Sequence, residues 1–439
     1  MTTAIKDAMK SVFEKQKMFF ATQQTKDISF RKTQLQRLRS VYASFTDAIC
    51  QAVNIDLGKS RQEAEYVEVQ IVLNELDYII ENMEEWVKPT FLPVSTHSSG
   101  AEMVSKIIYE PYGVTYIIGP FNYPMQLTFS PLIGALMSGN TAIIKPSENT
   151  PHVSAVIESI VKEAFDEEYV TVFQGAIEEN TFLLTLPFNY IFFTGSPNVG
   201  KVVMKAAAEQ LIPLTLELGG KSPTIVHKDA DIKKAVQRIA AGKFINCGQT
   251  CVAPDYIYVH ESVKEALVDE FKAYLSATYH DESLGKIGKI VSQNQIKNLA
   301  GYLEDAPEKV VYGGNYDLET RHFEATLMTD VSWEDAVMQQ EIFGPVLPIL
   351  TYDDINEALT EINRRPKPLA LYVFSEDQNF ADDVIAKTTS GDAEINSTLI
   401  HVGSHLLPFG GVGTSGMGKY HGRFSLDNFS HQRSVLQLK

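Results

Sequence analysis

The chain is poor in cysteine, in long apolar runs and in positive charge, and each shortage excludes something. Three cysteines in 439 residues, Cys50, Cys247 and Cys251, cannot build a disulfide framework and fit a reducing, cytoplasmic compartment. Cys247 and Cys251 form one Cys-x-x-x-Cys with no further Cys or well-placed His, a poor zinc site, so no metal is expected. No run of about 18 apolar residues occurs, so no membrane span is expected. Met1 to Lys17 is polar and amphipathic without a signal-peptide core, and Leu438-Lys439 closes the sequence without a hydrophobic tail. Lys and Arg number 38 against 55 Asp and Glu, a net charge of −17. That balance argues against polyanions, whether nucleic acid or an anionic membrane, as partners. A Gly-x-Gly-x-x-Gly fingerprint and an internal repeat of fixed period are also missing.

What remains is ordinary soluble material, 44% hydrophobic and 21% charged, long enough for two or three domains. Residues from about 3 to 86 read as helix, with Leu35, Leu38, Val41, Tyr42, Phe45 and Ile49 at helical spacing and a further helix from about Gln62 to Trp86. A connector, Pro89 to Gly100, and a short strand, Glu102 to Pro111, follow. From Val114 to Leu218, nearly all-apolar strands (114–118, 141–144, 170–173, 190–193, 214–218) alternate with helices near 125–137, 154–165 and 199–210. Such alternation predicts a parallel sheet covered on both faces. A second α/β region has strands at 224–226, 256–259, 347–350 and 369–374 and helices at 231–244, 262–278 and 353–364, with Asp229 or Asp231 as a cap. The stretch 281–316 is polar and poorly patterned.

Cys251 closes the run Phe244-Ile245-Asn246-Cys247-Gly248-Gln249-Thr250-Cys251, and Glu217 opens Glu217-Leu218-Gly219-Gly220-Lys221. A thiol able to ionise and a carboxylate able to move a proton make a set for covalent catalysis. Cys251 falls in a polar loop between a helix ending near Asn246 and a strand starting near Tyr256, unlike a small buried hydrophobe; Cys247 reads as a bystander. In Gly119-Pro120-Phe121-Asn122-Tyr123-Pro124, a buried Asn amide at a strand tip is a good donor to a developing oxyanion, although an Asx turn before proline reads equally well. Thr194-Gly195-Ser196-Pro197-Asn198-Val199-Gly200 joins a strand to a helix, where amides attract phosphate. Lys145-Pro146-Ser147-Glu148 also sits at a strand end, and a Lys there can donate to ribose or phosphate. Gln340-Glu341-Ile342-Phe343-Gly344-Pro345 and the glycine-rich run 407–418 complete the set.

Taken together, these segments resemble the aldehyde dehydrogenase superfamily, from about Lys106 to Ser430. The likeness is nearest to its shorter class 3 members, through Pro-Phe-Asn-Tyr-Pro, Lys-Pro-Ser-Glu and Tyr420-His421-Gly422. It implies an α/β fold with a Rossmann-like cofactor domain (1–95 and 111–217), an α/β catalytic domain (218–400) and a small β bridging element (96–110 and 401–439) that builds a homodimer through a strand near Gln432 to Leu438. It implies NAD- or NADP-dependent oxidation of an aldehyde to an acid through a Cys251 thiohemiacetal and thioester. Asn122 and the Cys251 backbone N–H hold the oxyanion, and Glu217 activates water. The cofactor contacts implied are Lys145 on the adenosine ribose, Glu148 near the 2′ position, Gly195, Ser196, Pro197, Asn198, Val199 and Gly200 along the dinucleotide, Glu341 on the nicotinamide ribose and Phe343 on its ring. Two departures stand out: Phe121 replaces a frequent Trp, and Gly391-Asp392 replaces Gly-Gly or Gly-Ala, placing a charge near the site entrance. Rival readings are a cofactor-free thiol esterase using Cys251 and Glu217, or an inactive binding protein on the same scaffold.

Overall fold

A computed structural model describes residues 1–279 and 287–439. The first part of the chain is helical but breaks into Thr3–Ala21, Ile28–Ser44, Thr46–Leu57, Arg61–Ala64 and Ile71–Trp86. Local chemistry sets the breaks. Asp27 caps the second helix by accepting from Ser29 N–H, Gly58 at φ 69° ends the third, and Ser60 caps the fourth by accepting from Glu63 N–H. Between Ala64 and Ile71 the chain makes a π-helical turn, Glu65–Gln70, which turns Val67, Glu68 and Val69 inward.

Two parallel sheets form the body. The first has the order Leu214–Leu218, Tyr190–Gly195, Val114–Ile118, Thr141–Lys145, Val170–Val172, all parallel, with Gly416–Met417 added antiparallel beside Leu214–Leu218. Its order reverses between Val114–Ile118 and Tyr190–Gly195, so the crevice for a ligand opens where Gly119 and Ser196 follow these strands. The central strands are buried along their whole length, which is why they read as continuous apolar runs. The second sheet runs Val310–Tyr312, Thr326–Met328, Val346–Tyr352, Tyr256–His260, Pro223–Val226, Ala370–Phe374, Asp392–Ile395, parallel except for its first strand. Asp231 does cap the following helix, accepting from Lys234 N–H.

The third sheet is antiparallel. Glu102–Pro111 pairs with Ser430–Leu438 along its length, and Thr90–Phe91 and Ser95–Thr96 pair with its other side. The stretch that looked unpatterned contains a helix, Gln293–Asp305, capped by Ser292 and buried through Ile296, Leu299, Ala300 and Leu303. Its apolar spacing is helical, but a polar surround hid it; residues 281–286 of that stretch lie outside the described residues. Helix Gln378–Lys387 and strand Asp392–Ile395 also went unread, because only Ala381 and Val384 are buried in that helix and nothing is in that strand. The sequence therefore folds as an α/β protein with two parallel-sheet layers and a small antiparallel sheet.

Candidate active site

The segment before Cys251 is unusual backbone. Helix Ile232–Phe244 ends where the sequence suggested, and Asn246 and Cys247 then take left-handed φ values of 52° and 55° before Gly248 at 74°. Two consecutive non-glycine residues there hold strain that the surroundings have to impose. Gln249 imposes much of it. Its amide donates to Asn246 O at 3.0 Å and Lys289 O at 2.9 Å, while its Oε1 accepts from Val291 N–H at 2.8 Å. Behind Cys251, Tyr372 Oη donates to Val252 O at 2.6 Å. Cys251 is partly exposed and free; Cys247 is fully buried, with its thiol against Phe323 O.

Cys251 lies on the wall of a cavity of about 640 Å³. Val67, Ile71, Leu127, Ile245, Val402 and Phe409 make most of the wall apolar, and Tyr66 and Ile400, among the most exposed apolar residues of the chain, stand on it too. Asn122 is buried at the tip of strand Val114–Ile118, and its Nδ2 donates to Gln249 O at 3.1 Å, two residues before Cys251. Tyr123 Oη and Thr250 Oγ1 are 2.6 Å apart. The Asn122 loop and the Cys251 loop are thus stitched together, although the two come from opposite sheets.

Glu217 points out of the first sheet in register with Thr194 and Gly416. It is 3% exposed, and neither carboxylate oxygen has a hydrogen-bond partner. Burial holds its pKa well above the usual carboxylate range; Lys419 opposes this and Asp392 adds to it. Burial likewise pushes the Cys251 thiol up, helped by the negative charges of Glu341 and Glu217 and opposed by the backbone N–H groups of Cys251 and Val252. Thiol and carboxyl both favour their protonated forms in this environment. Asp392 is not on the cavity wall where a charge at the entrance was expected. Its carboxylate lies 3.9 Å from Lys419 Nζ, which also donates to Gly391 O at 3.0 Å and to Gly410 O.

The residues expected to face a dinucleotide lie along the carboxyl ends of the first sheet. Ser196 is the N-cap of helix Pro197–Ala208, accepting from Val199 N–H, and Asn198 and Val199 of the first turn are exposed. Gly200 serves packing: a Cβ there would meet Leu218 Cδ2 at 2.8 Å. Lys145 is buried and pairs with the exposed Glu148 at 2.7 Å. Glu341 comes from the other sheet. Its carboxylate lies against Gly219, accepts from Gly220 N–H and leaves Oε1 buried without a partner. Burial and Asp255 raise its pKa to about 8. Phe343, at φ 48°, meets the Phe121 ring edge-on at 5.8 Å. These features fit a dinucleotide: a helix N-terminus at the strand ends for phosphates, a lysine at a strand end, and an unpartnered carboxylate oxygen for a ribose hydroxyl.

Several contributing residues were not read from the sequence. Lys221 bridges Asp255 at 2.6 Å and the carbonyls of Val337 and Gln340, while Asp255 accepts from Ile342 N–H, so this pair sets the Glu341 loop. Lys59, Glu68 and Asn246 hold the Asn122 loop from behind. No local signal marks Lys59, Glu68 or Lys221 for these roles, because each partner is distant in sequence. His421, which the sequence did single out with Tyr420 and Gly422, pairs with buried Glu75 at 3.1 Å and joins helix Gly422–Asn428 to the N-terminal ones.

Comparison with known proteins agrees with this architecture. A family model described as the aldehyde dehydrogenase family matches residues 2–435. The chain is 49% identical over 426 residues to 4,4'-diaponeurosporen-aldehyde dehydrogenase of Staphylococcus aureus, covering 97% of this chain and 92% of that one. It is 41% identical to the dimeric NADP-preferring aldehyde dehydrogenase of Canis lupus familiaris, covering 97% and 93%. Among solved structures, the substrate-bound state of Staphylococcus aureus AldH superposes with a TM-score of 0.94 at 48% identity, covering 98% of this chain and 93% of that one. The NAD+ complex of an aldehyde dehydrogenase from Bacillus cereus gives 0.89 at 26% identity, covering 99% and 89%. The protein belongs to the aldehyde dehydrogenase family.

Proposed function

We propose that this aldehyde dehydrogenase works through a covalent thioester on Cys251, with NAD or NADP as hydride acceptor. The observation that carries the reading is the convergence of Cys251, the Asn122 amide and an unpartnered Glu217 from three separate segments. Cys251 gives its proton to solvent, and its sulfur attacks the aldehyde carbonyl carbon to form a thiohemiacetal. The Asn122 Nδ2–H left free by its bond to Gln249 O, with the Cys251 backbone N–H, stabilises the oxyanion. The cofactor, when bound, takes up the hydride lost from that carbon. Glu217 then removes a proton from water, which adds to the thioester carbonyl, and the carboxylic acid leaves as the Cys251 sulfur is released.

Ser196, Asn198 and Val199 with Gly195, Pro197 and Gly200 would hold the pyrophosphate end, Lys145 and Glu148 the adenosine ribose, Glu341 and Phe343 the nicotinamide end. The cofactor part is taken as 1–95 with 111–217, the catalytic part as 218–400, and the bridging element as 96–110 with 401–439. Strand Ser430–Leu438 is the outer strand of its sheet and exposes Leu436 and Leu438, a surface suited to a second copy in a homodimer.

The substrate class follows from the cavity. Its apolar wall and the exposed Tyr66 and Ile400 suit an aldehyde on a long apolar chain. The test is Cys251→Ala, read as reduced cofactor at 340 nm with an apolar aldehyde. Turnover at background level supports the mechanism; an unchanged rate overturns it, and turnover without NAD(P) favours the esterase reading.

A further inference from the structure

The oxyanion donor of the proposed mechanism, Asn122, sits in the connection between the end of strand Val114–Ile118 and the start of helix Gln126–Ser138. What restrains it comes from two other segments.

Lys59 and Glu68 are both fully buried and 2.5 Å apart. Lys59 Nζ donates to Glu68 Oε1 and, at 2.8 Å, to Asn122 O, and it lies 4.0 Å from the centroid of the Tyr123 ring. Glu68 Oε2 accepts from Met125 and Gln126 N–H, each at 3.1 Å, and so fills the first turn of the helix that leaves the loop. One ion pair therefore grips both ends of the Asn122 segment. From the other side, Asn246 Nδ2 donates to Asn122 O at 2.8 Å and to Gln249 O at 3.1 Å, the same carbonyl that the Asn122 side chain uses.

We infer that Lys59, Glu68 and Asn246 are positioning residues that fix the Asn122 amide relative to the Cys251 loop. The inference rests on the reading of Asn122 as the oxyanion donor. Two donors on one carbonyl leave the Asn122 main chain a single orientation, and the side chain then has one Nδ2–H on Gln249 O and the other available to substrate. A buried pair of opposite charges is a poor device for stability alone, since an apolar pair of similar size often does as well. It is a good device for holding a polar loop in one place, because each charge demands its partners. The π-helical turn serves this arrangement, as it turns Glu68 inward under the loop.

The experiment is a mutant cycle read by the pre-steady-state burst of reduced cofactor. Asn122→Ala alone tests the underlying reading and should slow the burst about 10²–10³-fold; a burst at the parental rate would sink that reading. Lys59→Met strands Glu68 without a partner and risks unfolding, so the pair Lys59→Met/Glu68→Gln removes both charges together, and Lys59→Arg keeps the charge while moving the donor. With NAD(P) affinity by fluorescence titration held within about twofold, both variants should slow the burst about tenfold or more. Placed on top of Asn122→Ala, they should slow it little further, because they act through the same amide. A burst within twofold of the parent, or a loss that multiplies in full in the Asn122→Ala background, overturns the inference.

Discussion

The carboxylate of Glu341 lies directly against the α-carbon of Gly219, where a Cβ would meet Oε2 at 2.1 Å and Oε1 at 2.5 Å. The two residues come from different sheets, so the glycine lets the base-bearing strand end and the expected ribose-binding loop share one site. Gly219→Ala should push the Glu341 carboxylate away. The expected outcome is a folded enzyme with a weaker cofactor affinity and lower kcat, measured by NAD(P) titration and steady-state rates. Unchanged affinity would show that Glu341 does not touch the cofactor.

Glu341 also has a pH signature. Its pKa stands at about 8 in the folded protein, raised by burial and Asp255, against about 4.3 unfolded. The folded state thus keeps a proton that the unfolded state has lost between those values. That contribution to stability is whole below the unfolded value and disappears as pH rises through about 8. Glu341→Gln should leave the melting temperature unchanged near pH 4 and raise it by about 2 °C or more near pH 9. Differential scanning calorimetry at the two pH values measures the difference; equal shifts would remove the assignment.

Glu217→Gln should keep the burst of reduced cofactor and slow turnover about 10²–10⁴-fold, since the general base acts only after the thioester forms. In the parent enzyme, hydrolysis should be lost as pH falls through the raised Glu217 pKa. Asp392 adds to that elevation, so Asp392→Asn should move the acid limb of the kcat profile to lower pH. A shift to higher pH would contradict the placement of Asp392 beside the base.

The apolar cavity predicts a chain-length series. Each added methylene in a straight-chain aldehyde should raise kcat/KM about fourfold until the cavity is filled, from roughly 0.8 kcal/mol per buried CH₂. A flat series from four to ten carbons would remove the long-chain assignment.

The sequence made the sheets legible because both are parallel and buried, so strands such as Val114–Ile118 and Thr141–Lys145 are apolar throughout. Motif-bearing loops were legible for a related reason: glycine, proline and asparagine mark strand ends such as 119–124 and 195–200. What stayed hidden was relational. Lys59 reads as a surface lysine after a glycine until folding brings it to Asn122, and Lys221 reads as the end of a turn until Asp255 lies beside it. Helix Gln293–Asp305 was lost to a different cause, its four buried residues being diluted by glutamine, asparagine and charge. The charge of Asp392 was noticed in the sequence, but its destination beside Lys419 depends on strand pairing to Ala370–Phe374 and on the late loop at Gly410.

Strand Leu214–Leu218 receives its outer neighbour from Gly416–Met417, some two hundred residues later in the sequence. Cutting the chain between them would leave the strand that carries Glu217 with a bare edge, a template for pairing with another chain.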